Sequence, residues 1–309
     1  MKNISVIGHI VRDKIISPQG KVVRSPGGIA NSLAAFGAIA DSSIKTLPVC
    51  KVGYDLYDEA MTFFKKFPSI DFSLVRKINI KNKIHELRYT DSSYREEYNI
   101  GELPLIKPEL LENIPRLDIV LLNYIGGNEF PPRYISRLKG KYKPFVYLDY
   151  HSLALGRKYV DNNRHICVRH FRYNPHWREY VELADMVQMN HMELKSIFPH
   201  MAETNKDVIE CAKIIHAQGP QAVIITREDK DLVVVSGKKG KPDINLLAVK
   251  PVKKIADPTG CGDAFAAAVI INYMKSKNII KACEYGLYLA SQKIGFSGLD
   301  GFLDLRKGK

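Results

Sequence analysis

Residues 257–271 read DPTGCGDAFAAAVII, and this stretch decides how the rest of the chain is read. Gly260, Cys261 and Gly262 form a turn that runs into Asp263 and an Ala/Val/Ile-rich segment, the composition of a buried helix entered through a sharp bend. The first N–H groups of a helix have no partner within it, and the aligned peptide dipoles give that end partial positive charge. Without a Cβ at Gly260 or Gly262, an anion can reach the backbone. Asp263, in the first turn, adds a carboxylate able to take a proton from a hydroxyl held against the same N–H groups. Phosphoryl transfer to a hydroxyl needs both parts. The plainer reading is a structural helix capped by Thr or Asp, and only the surrounding sequence separates the two.

The 309 residues suffice for one large α/β domain, and 45% hydrophobic content fills its core. No apolar run approaches the ~18 residues of a membrane span. The first residues enter a strand pattern with no basic-then-apolar leader, so the expected location is cytoplasmic. Cys50, Cys167, Cys211, Cys261 and Cys283 are scattered, odd in number and lack C-x-x-C spacing, which argues against a disulfide framework and a zinc site. The net charge of +13 brings nucleic acid into consideration. However, Lys51, Lys65, Lys66, Lys238, Lys239, Lys253 and Lys254 are dispersed rather than aligned on one helix, and an anionic small molecule accounts for the charge equally well.

Taken from the start, residues 3–11 (NISVIGHIV) are a short apolar run interrupted by Gly8, the pattern of a buried parallel strand whose end carries Asp13 into a loop. Ligands of open α/β sheets collect outside the carboxyl ends of strands, so Asp13 is a candidate acceptor for substrate hydroxyls. Pro26-Gly27-Gly28-Ile29-Ala30-Asn31 reads as a Gly-Gly helix start before SLAAFGAIA, where a ligand can lie against backbone. Residues 45–53 form a second strand, followed by a helix through Phe64. Segments 74–80, 83–89 and 95–99 alternate apolar and polar residues, with turn material at Asn82 and Asp91-Ser92-Ser93. They read as antiparallel strands with no helix between them.

The βα alternation resumes at LDIVLLNYI and PFVYLDY, the latter ending on Asp149. Residues 157–178 crowd Arg157, Arg164, Arg169, Arg172, Arg178, His165, His170 and His176 around Trp177. This segment reads as a solvated basic loop or as a pocket for anionic groups, and lacks the carboxylates or cysteines that would complete a metal site. Residues 185–194 (DMVQMNHMEL) end a strand with Asn190 and Glu193, an amide and a carboxylate suited to orienting water on a metal-bound phosphate. The strand 222–226 leads into Thr226-Arg227-Glu228-Asp229-Lys230-Asp231. Residues 277–296 read as a helix packed behind the anion loop, with Ala282, Gly286 and Ala290 about one turn apart.

The string at 257–265 resembles the D-T-x-G-A-G-D-x-F signature of the ribokinase-like (PfkB) family of sugar and nucleoside kinases, through Asp257, Thr259, Gly260, Gly262, Asp263 and Phe265. Cys261 stands where the family usually has Ala. The resemblance implies an α/β fold, a three-layer α/β/α sandwich with a mostly parallel sheet, as one domain over 1–309. It also implies a small β lid built from about 14–24 and 74–100; the plainer reading of these strands is an edge extension of the sheet, and a homodimer through them is the expected assembly. It puts Asp13, Gly27, Gly28 and Asn31 on the acceptor, although the family's G-G-x-x-x-N spacing is compressed here. Asn190, Thr226, Arg227, Gly260 and Gly262 would contact ATP. The N–H groups from Gly260 to Asp263 would hold the transferring phosphoryl, with Asp263 as base. The implied cofactor is Mg²⁺, with Glu193 acting on it through water, and some members use K⁺, here near Asp257. The family's T-R-G-x-x-G glycines are replaced by Glu228 and Asp231, its D-x-N by Asp149-Tyr150-His151, and the Asn of its adenine slot is absent.

The reading is thus an ATP-dependent kinase acting on a small sugar, polyol or nucleoside. The main rival is a catalytically idle nucleotide- or sugar-binding sensor of the same fold, favoured by the altered Thr226 loop and opposed by the intact Asp263 site. A Rossmann dehydrogenase would need G-x-G-x-x-G after the first strand, where Gly8 stands alone.

Overall fold

Apolar runs that are continuous in sequence become strands buried on both faces, as in Ile119 to Asn123, where every residue is buried. The computed structural model describes residues 1–90, 95–112, 114–228, 230–252 and 255–307. The expected turn at Asp91, Ser92 and Ser93 lies outside the described residues, as do Asp229, Lys253 and Lys254. In chain order the elements are β1 (Lys2–Ile7), β2 (Ile10–Ile16), β3 (Val22–Gly28), α1 (Ala30–Ile39), β4 (Ile44–Gly53), α2 (Tyr54–Phe64), β5 (Val75–Ile78), β6 (Ile84–Tyr89) and β7 (Arg95–Ile100). Then follow β8 (Ile119–Asn123), α3 (Pro132–Tyr142), β9 (Phe145–Asp149), β10 (Leu155–Asp161), β11 (Ile166–Phe171), α4 (Trp177–Glu182), β12 (Met186–Asn190), α5 (His191–Ile197) and α6 (Asn205–His216). The chain ends with β13 (Ala222–Thr226), β14 (Leu232–Lys238), β15 (Lys241–Leu247), α7 (Cys261–Ser276), α8 (Ile279–Lys293) and α9 (Gly301–Lys307).

Nine strands form the main sheet in the order β15-β14-β13-β12-β9-β8-β1-β4-β5. From β13 through β5 all neighbours are parallel, and β14 and β15 add an antiparallel edge. Alternate residues of each strand serve opposite cores: Ile119 and Leu121 face the layer of α1, α2, α7, α8 and α9, while Val120 and Leu122 face that of α3, α4, α5 and α6. This is the expected three-layer α/β/α sandwich. The small residues of α8 act as their spacing suggests, since a Cβ on Gly286 would lie 2.7 Å from the Phe265 ring and 2.8 Å from Val269. That close approach fixes where the N-terminus of α7 emerges at the sheet's edge.

A second sheet has six strands in the order β10-β11-β7-β6-β2-β3. It contains the expected lid strands but differs from the expected lid in three ways. The 74–80 segment is not part of it: β5 pairs in parallel with β4 and extends the main sheet. Residues 155–171 are not a solvated loop but a hairpin, β10 with β11, docked on β7. The lid is also mixed rather than antiparallel, because β2 runs parallel to β6. Nor do residues 3–11 make one strand. The chain breaks after Ile7 and starts β2 at Ile10, which puts Asp13 inside a lid strand rather than in a loop.

Asn82 joins the two sheets. Buried at 5% exposure, it accepts from Gly53 N at 2.8 Å at the end of β4, and donates to Ile10 O at 3.1 Å at the start of β2. Replacing it leaves buried backbone groups without partners. Asn82→Ala should lower stability by about 2–3 kcal/mol, read from the denaturant midpoint at unchanged slope. An unmoved midpoint would show that these bonds do not secure the lid.

Candidate active site

The turn before α7 has the backbone its glycines suggest. Gly260 is the N-cap, at φ 83° and ψ 2°, and a Cβ there would lie 2.6 Å from the Asn31 side-chain oxygen, so both conformation and space require glycine. Asn31 from α1 is thereby pressed against the anion loop. At Gly262 a Cβ would meet only Gln188 Nε2, at 3.6 Å, so its outer side is open. Cys261 occupies the first helical position with its thiol directed at Ala290 O, 3.7 Å away, and burial pushes that thiol up to about 11. It is therefore not a nucleophile at neutral pH.

Asp263 lies in the first turn of α7 and is partly buried. Its Oδ1 accepts from Ser32 Oγ at 2.7 Å and from Asn123 Nδ2 at 2.6 Å, and Asn123 also donates to Ser32 at 2.9 Å. Three elements, α1, β8 and α7, thus fix one oxygen and leave Oδ2 without a hydrogen bond among the described residues. Burial pushes the Asp263 carboxyl above the ordinary aspartate range, and Asp13 adds to this. The Ser32 hydroxyl, the charge of His151 and the Asn123 amide pull the other way.

Across the cleft, Asp13 is 3% exposed and its carboxylate lies against Gly27, where a Cβ would come within 2.0 Å of Oδ2. Gly28 has φ 62° and approaches His9 O. Both glycines end β3 rather than start a helix, and α1 begins at Ala30. Asp13 Oδ1 is buried without a hydrogen-bond partner among the described residues. His85 comes nearest, with Nδ1 3.7 Å from that oxygen and Nε2 3.4 Å from Glu97 Oε2. The cleft wall therefore holds an acceptor that a ligand hydroxyl would satisfy.

Near Asp263, at the carboxyl ends of β9 and β12, lies a polar group in which Asp149, Gln188 and Glu193 are buried while Asn190 is exposed. Asn190 and Glu193 form a capping box at the start of α5: Asn190 N and Nδ2 donate to Glu193 at 2.8 and 2.7 Å, and Glu193 N donates to Asn190 Oδ1 at 2.8 Å. His151 Nδ1 lies 3.3 Å from Glu193 Oε1. Burial alone would lower the His151 pKa, but the bond to Glu193 and the charges of Glu193 and Asp149 outweigh it and raise it to about 9. Burial pushes the Asp149 carboxyl far up. Gln188, from β12, donates to Gly262 O at 3.2 Å and accepts from Tyr147 OH at 2.6 Å, tying the sheet to the anion loop.

Thr226 ends β13 in a half-buried position, but Arg227 turns inward. At 5% exposure, its Nε donates to Asp231 O at 2.7 Å and its Nη1 to Asn205 Oδ1 at 2.5 Å, so the guanidinium braces its own loop. Glu228, at a position where the resemblance expects glycine, keeps the left-handed backbone, φ 55°. Asp257 is buried, accepting from Thr259 N at 2.9 Å and Ser297 Oγ at 3.1 Å. In the basic segment, Arg169 is buried and donates to Ile125 O. Arg157, Arg172 and His176 line a separate cavity of about 570 Å³ that shares no residue with the anion loop.

Ser32, Asn123, His85 and Gln188 were not legible as site residues. Each sits in or beside an apolar or alternating run where one polar residue looks incidental. Only the termination of LLN on a buried amide gave a signal, in that a polar side chain at a strand's carboxyl end needs a partner.

The pfkB family carbohydrate kinase model matches residues 160–304. The chain is 26% identical to a cytidine kinase of Thermococcus kodakarensis, over 94% of this chain and 96% of that one. A pyrophosphate-dependent kinase in the ribokinase family, solved as a sulfate complex, superposes with TM-score 0.77 at 20% identity, over 98% of this chain and 99% of that one. The ribokinase of Thermotoga maritima superposes with TM-score 0.72 at 18% identity, over 99% and 100%.

If Asp263 works as a base, it must be ionised, and its raised pKa places the acid limb of kcat/KM above the ordinary aspartate value. Ser32 and Asn123 bond the charged form, so removing either raises the pKa further. Ser32→Ala and Asn123→Leu should each move that limb to higher pH in a log kcat/KM profile. A limb that stays put in both variants would assign it to another group.

Proposed function

We propose, for a chain that belongs to the ribokinase-like (PfkB) family, that it transfers the terminal phosphoryl group of ATP to a hydroxyl of a neutral sugar, polyol or nucleoside. The observation that carries this reading is the nearness of two carboxylates: Asp263, held through one oxygen in the first turn of α7, and Asp13, whose charge bears on Asp263 and whose buried Oδ1 has no hydrogen bond among the described residues. One would take the proton of the reacting hydroxyl while the other holds a second hydroxyl of the same molecule. With Glu97 and Asp263 also lining the region around His85 and Ser32, an anionic acceptor would be repelled. The relative that aligns along nearly the whole chain is a cytidine kinase, which makes nucleosides the first acceptors to try.

In the reaction, the acceptor oxygen forms a bond to the terminal phosphorus as the bond from that phosphorus to the bridging oxygen breaks. The hydroxyl proton passes to Asp263 and the diphosphate leaves. The N–H groups of Gly260, Gly262 and Asp263 would bear on the charge of the transferring group, that of Cys261 already donating to Pro258 O, and Asn31, packed on Gly260, keeps that loop in register with the acceptor wall. Among the described residues, no three His, Cys, Asp or Glu side chains converge to hold a metal ion. Both oxygens of Glu193 are engaged within the protein. The residues thus fit Mg²⁺ only as an ion that arrives on the donor's phosphates and keeps its waters, with Glu193 acting on it through water. When bound, it would neutralise charge on the donor.

The experiment is turnover across donors and acceptors: ATP and inorganic pyrophosphate against cytidine, other nucleosides, ribose and myo-inositol. Pyrophosphate is included because the inward Arg227 leaves the nucleotide side thinly furnished and a structural neighbour is pyrophosphate-dependent. With an accepted pair, Asp263→Asn should lower kcat by roughly 10³-fold, with donor binding unchanged or slightly tighter. Asp13→Ala should act mainly on the acceptor KM. A variant at Asp263 that keeps more than about a tenth of wild-type kcat would place the base elsewhere.

A further inference from the structure

Lys293, the last residue of α8, is fully buried, at 0% exposure. Its ammonium makes no ion pair among the described residues; it donates to two backbone carbonyls, Phe296 O at 3.1 Å and Asp257 O at 3.4 Å, and lies 5.0 Å from the centre of the Phe296 ring. An ammonium on carbonyl oxygens, without a carboxylate partner, is costly to bury. Burial accordingly lowers the Lys293 pKa, while Asp257, Cys261 and Asp263 counter it. Two segments meet at this point. The anion loop is held by Asp257 N and Ala256 N donating to Ile294 O, and Ser297 Oγ donates back to Asp257 Oδ2 at 3.1 Å.

We propose that the ammonium of Lys293 is a tethered monovalent cation that clamps residues 293–297 to the anion loop and places a fixed positive charge behind it. Lys293 is then a positioning residue, acting through the backbone of 257–260 on the N–H groups that face the transferring phosphoryl; in this respect the inference rests on the reading of that loop as the phosphoryl site. It also sets aside the K⁺ expected near Asp257. The carbonyl of Asp257 is already taken by Nζ, so the residues present do not fit an added cation there, and activity should not depend on one.

The test uses the whole protein. Wild-type turnover should stay within about twofold when K⁺ is replaced by choline at constant ionic strength. Lys293→Met keeps the length of the side chain and removes the charge, and should weaken donor binding by about tenfold or more while kcat falls. Added NH₄⁺ or K⁺, but not choline, should restore part of both by occupying the vacated carbonyls, and Lys293→Gln repeats the measurement should the methionine variant fail to fold. ATP binding by calorimetry and melting temperature in each salt are read beside activity. Loss of the kinase reading would thus appear as no turnover in wild type, with the salt-selective rescue of binding still measurable. A wild type that needs K⁺, or a folded variant that binds ATP as wild type does, would overturn the proposal.

Discussion

The carboxylate of Asp263 holds its place because a hydroxyl from α1 and an amide from β8 both reach one of its oxygens. Neither donor is free to move. Ser32 lies in a helix all of whose residues are buried, and Asn123 ends a strand buried on both faces. The position of the carboxylate is therefore set by the packing of the whole sandwich rather than by a local loop. Close contact between α7 and α8 works to the same end, since the glycine at 286 lets Phe265 and Val269 approach. A core optimised for layer packing thus delivers a helix N-terminus and an acid to one point at the sheet edge.

Charge is distributed around that point in opposite senses. Towards the lid stand Asp13 and Glu97 with His85 between them, and towards the main sheet stand Asp149 and Glu193 with a His151 that stays cationic up to about pH 9. The charge of His151, bonded to Glu193 and close to Asp149, limits the repulsion that these carboxylates impose on Asp263. The helix end and the buried ammonium of Lys293 add positive charge to that of His151. The net charge of +13 lies largely elsewhere, so it says more about the surface than about the chemistry of the cleft.

Fold and site were legible to different depths. Continuous apolar runs gave the strands of the main sheet, because a parallel strand buried on both faces has no other composition open to it. The Gly-Cys-Gly turn was legible because glycine is required there for a local reason, the left-handed N-cap. The lid was read less well. Residues 74–80 alternate as a lid strand would, yet they pair with β4, and strand partners at large sequence separation are not written in periodicity. The Arg-rich segment is solvated as read at Arg164, Arg172 and Arg178, which are exposed, but not at Arg169, which donates to Ile125 O, nor fully at Arg157, which bonds Gly126 O and Glu102. The inward turn of the Arg227 guanidinium onto Asp231 O and Asn205 was likewise not legible, since composition does not reveal which way a guanidinium turns.

The mixed lid also bears on how the cleft works. A lid assembled from β2 and β3 at one end of the chain and β10 and β11 from its middle cannot swing as one hairpin. β2 continues from β1 through a two-residue break, and Asn82 bonds it to the end of β4. Tyr89, at the far end of β6, brings its hydroxyl within 3.4 Å of Thr259 in the anion loop. The strand that carries Asp13 and the loop at 257–260 are therefore coupled through several short connections, so that a ligand drawing Asp13 inwards would act on a sheet already in touch with residue 259. Closure in such an arrangement would be a small tightening of the Asp13 to Asp263 gap, excluding water from the reacting atoms with little loss of backbone order.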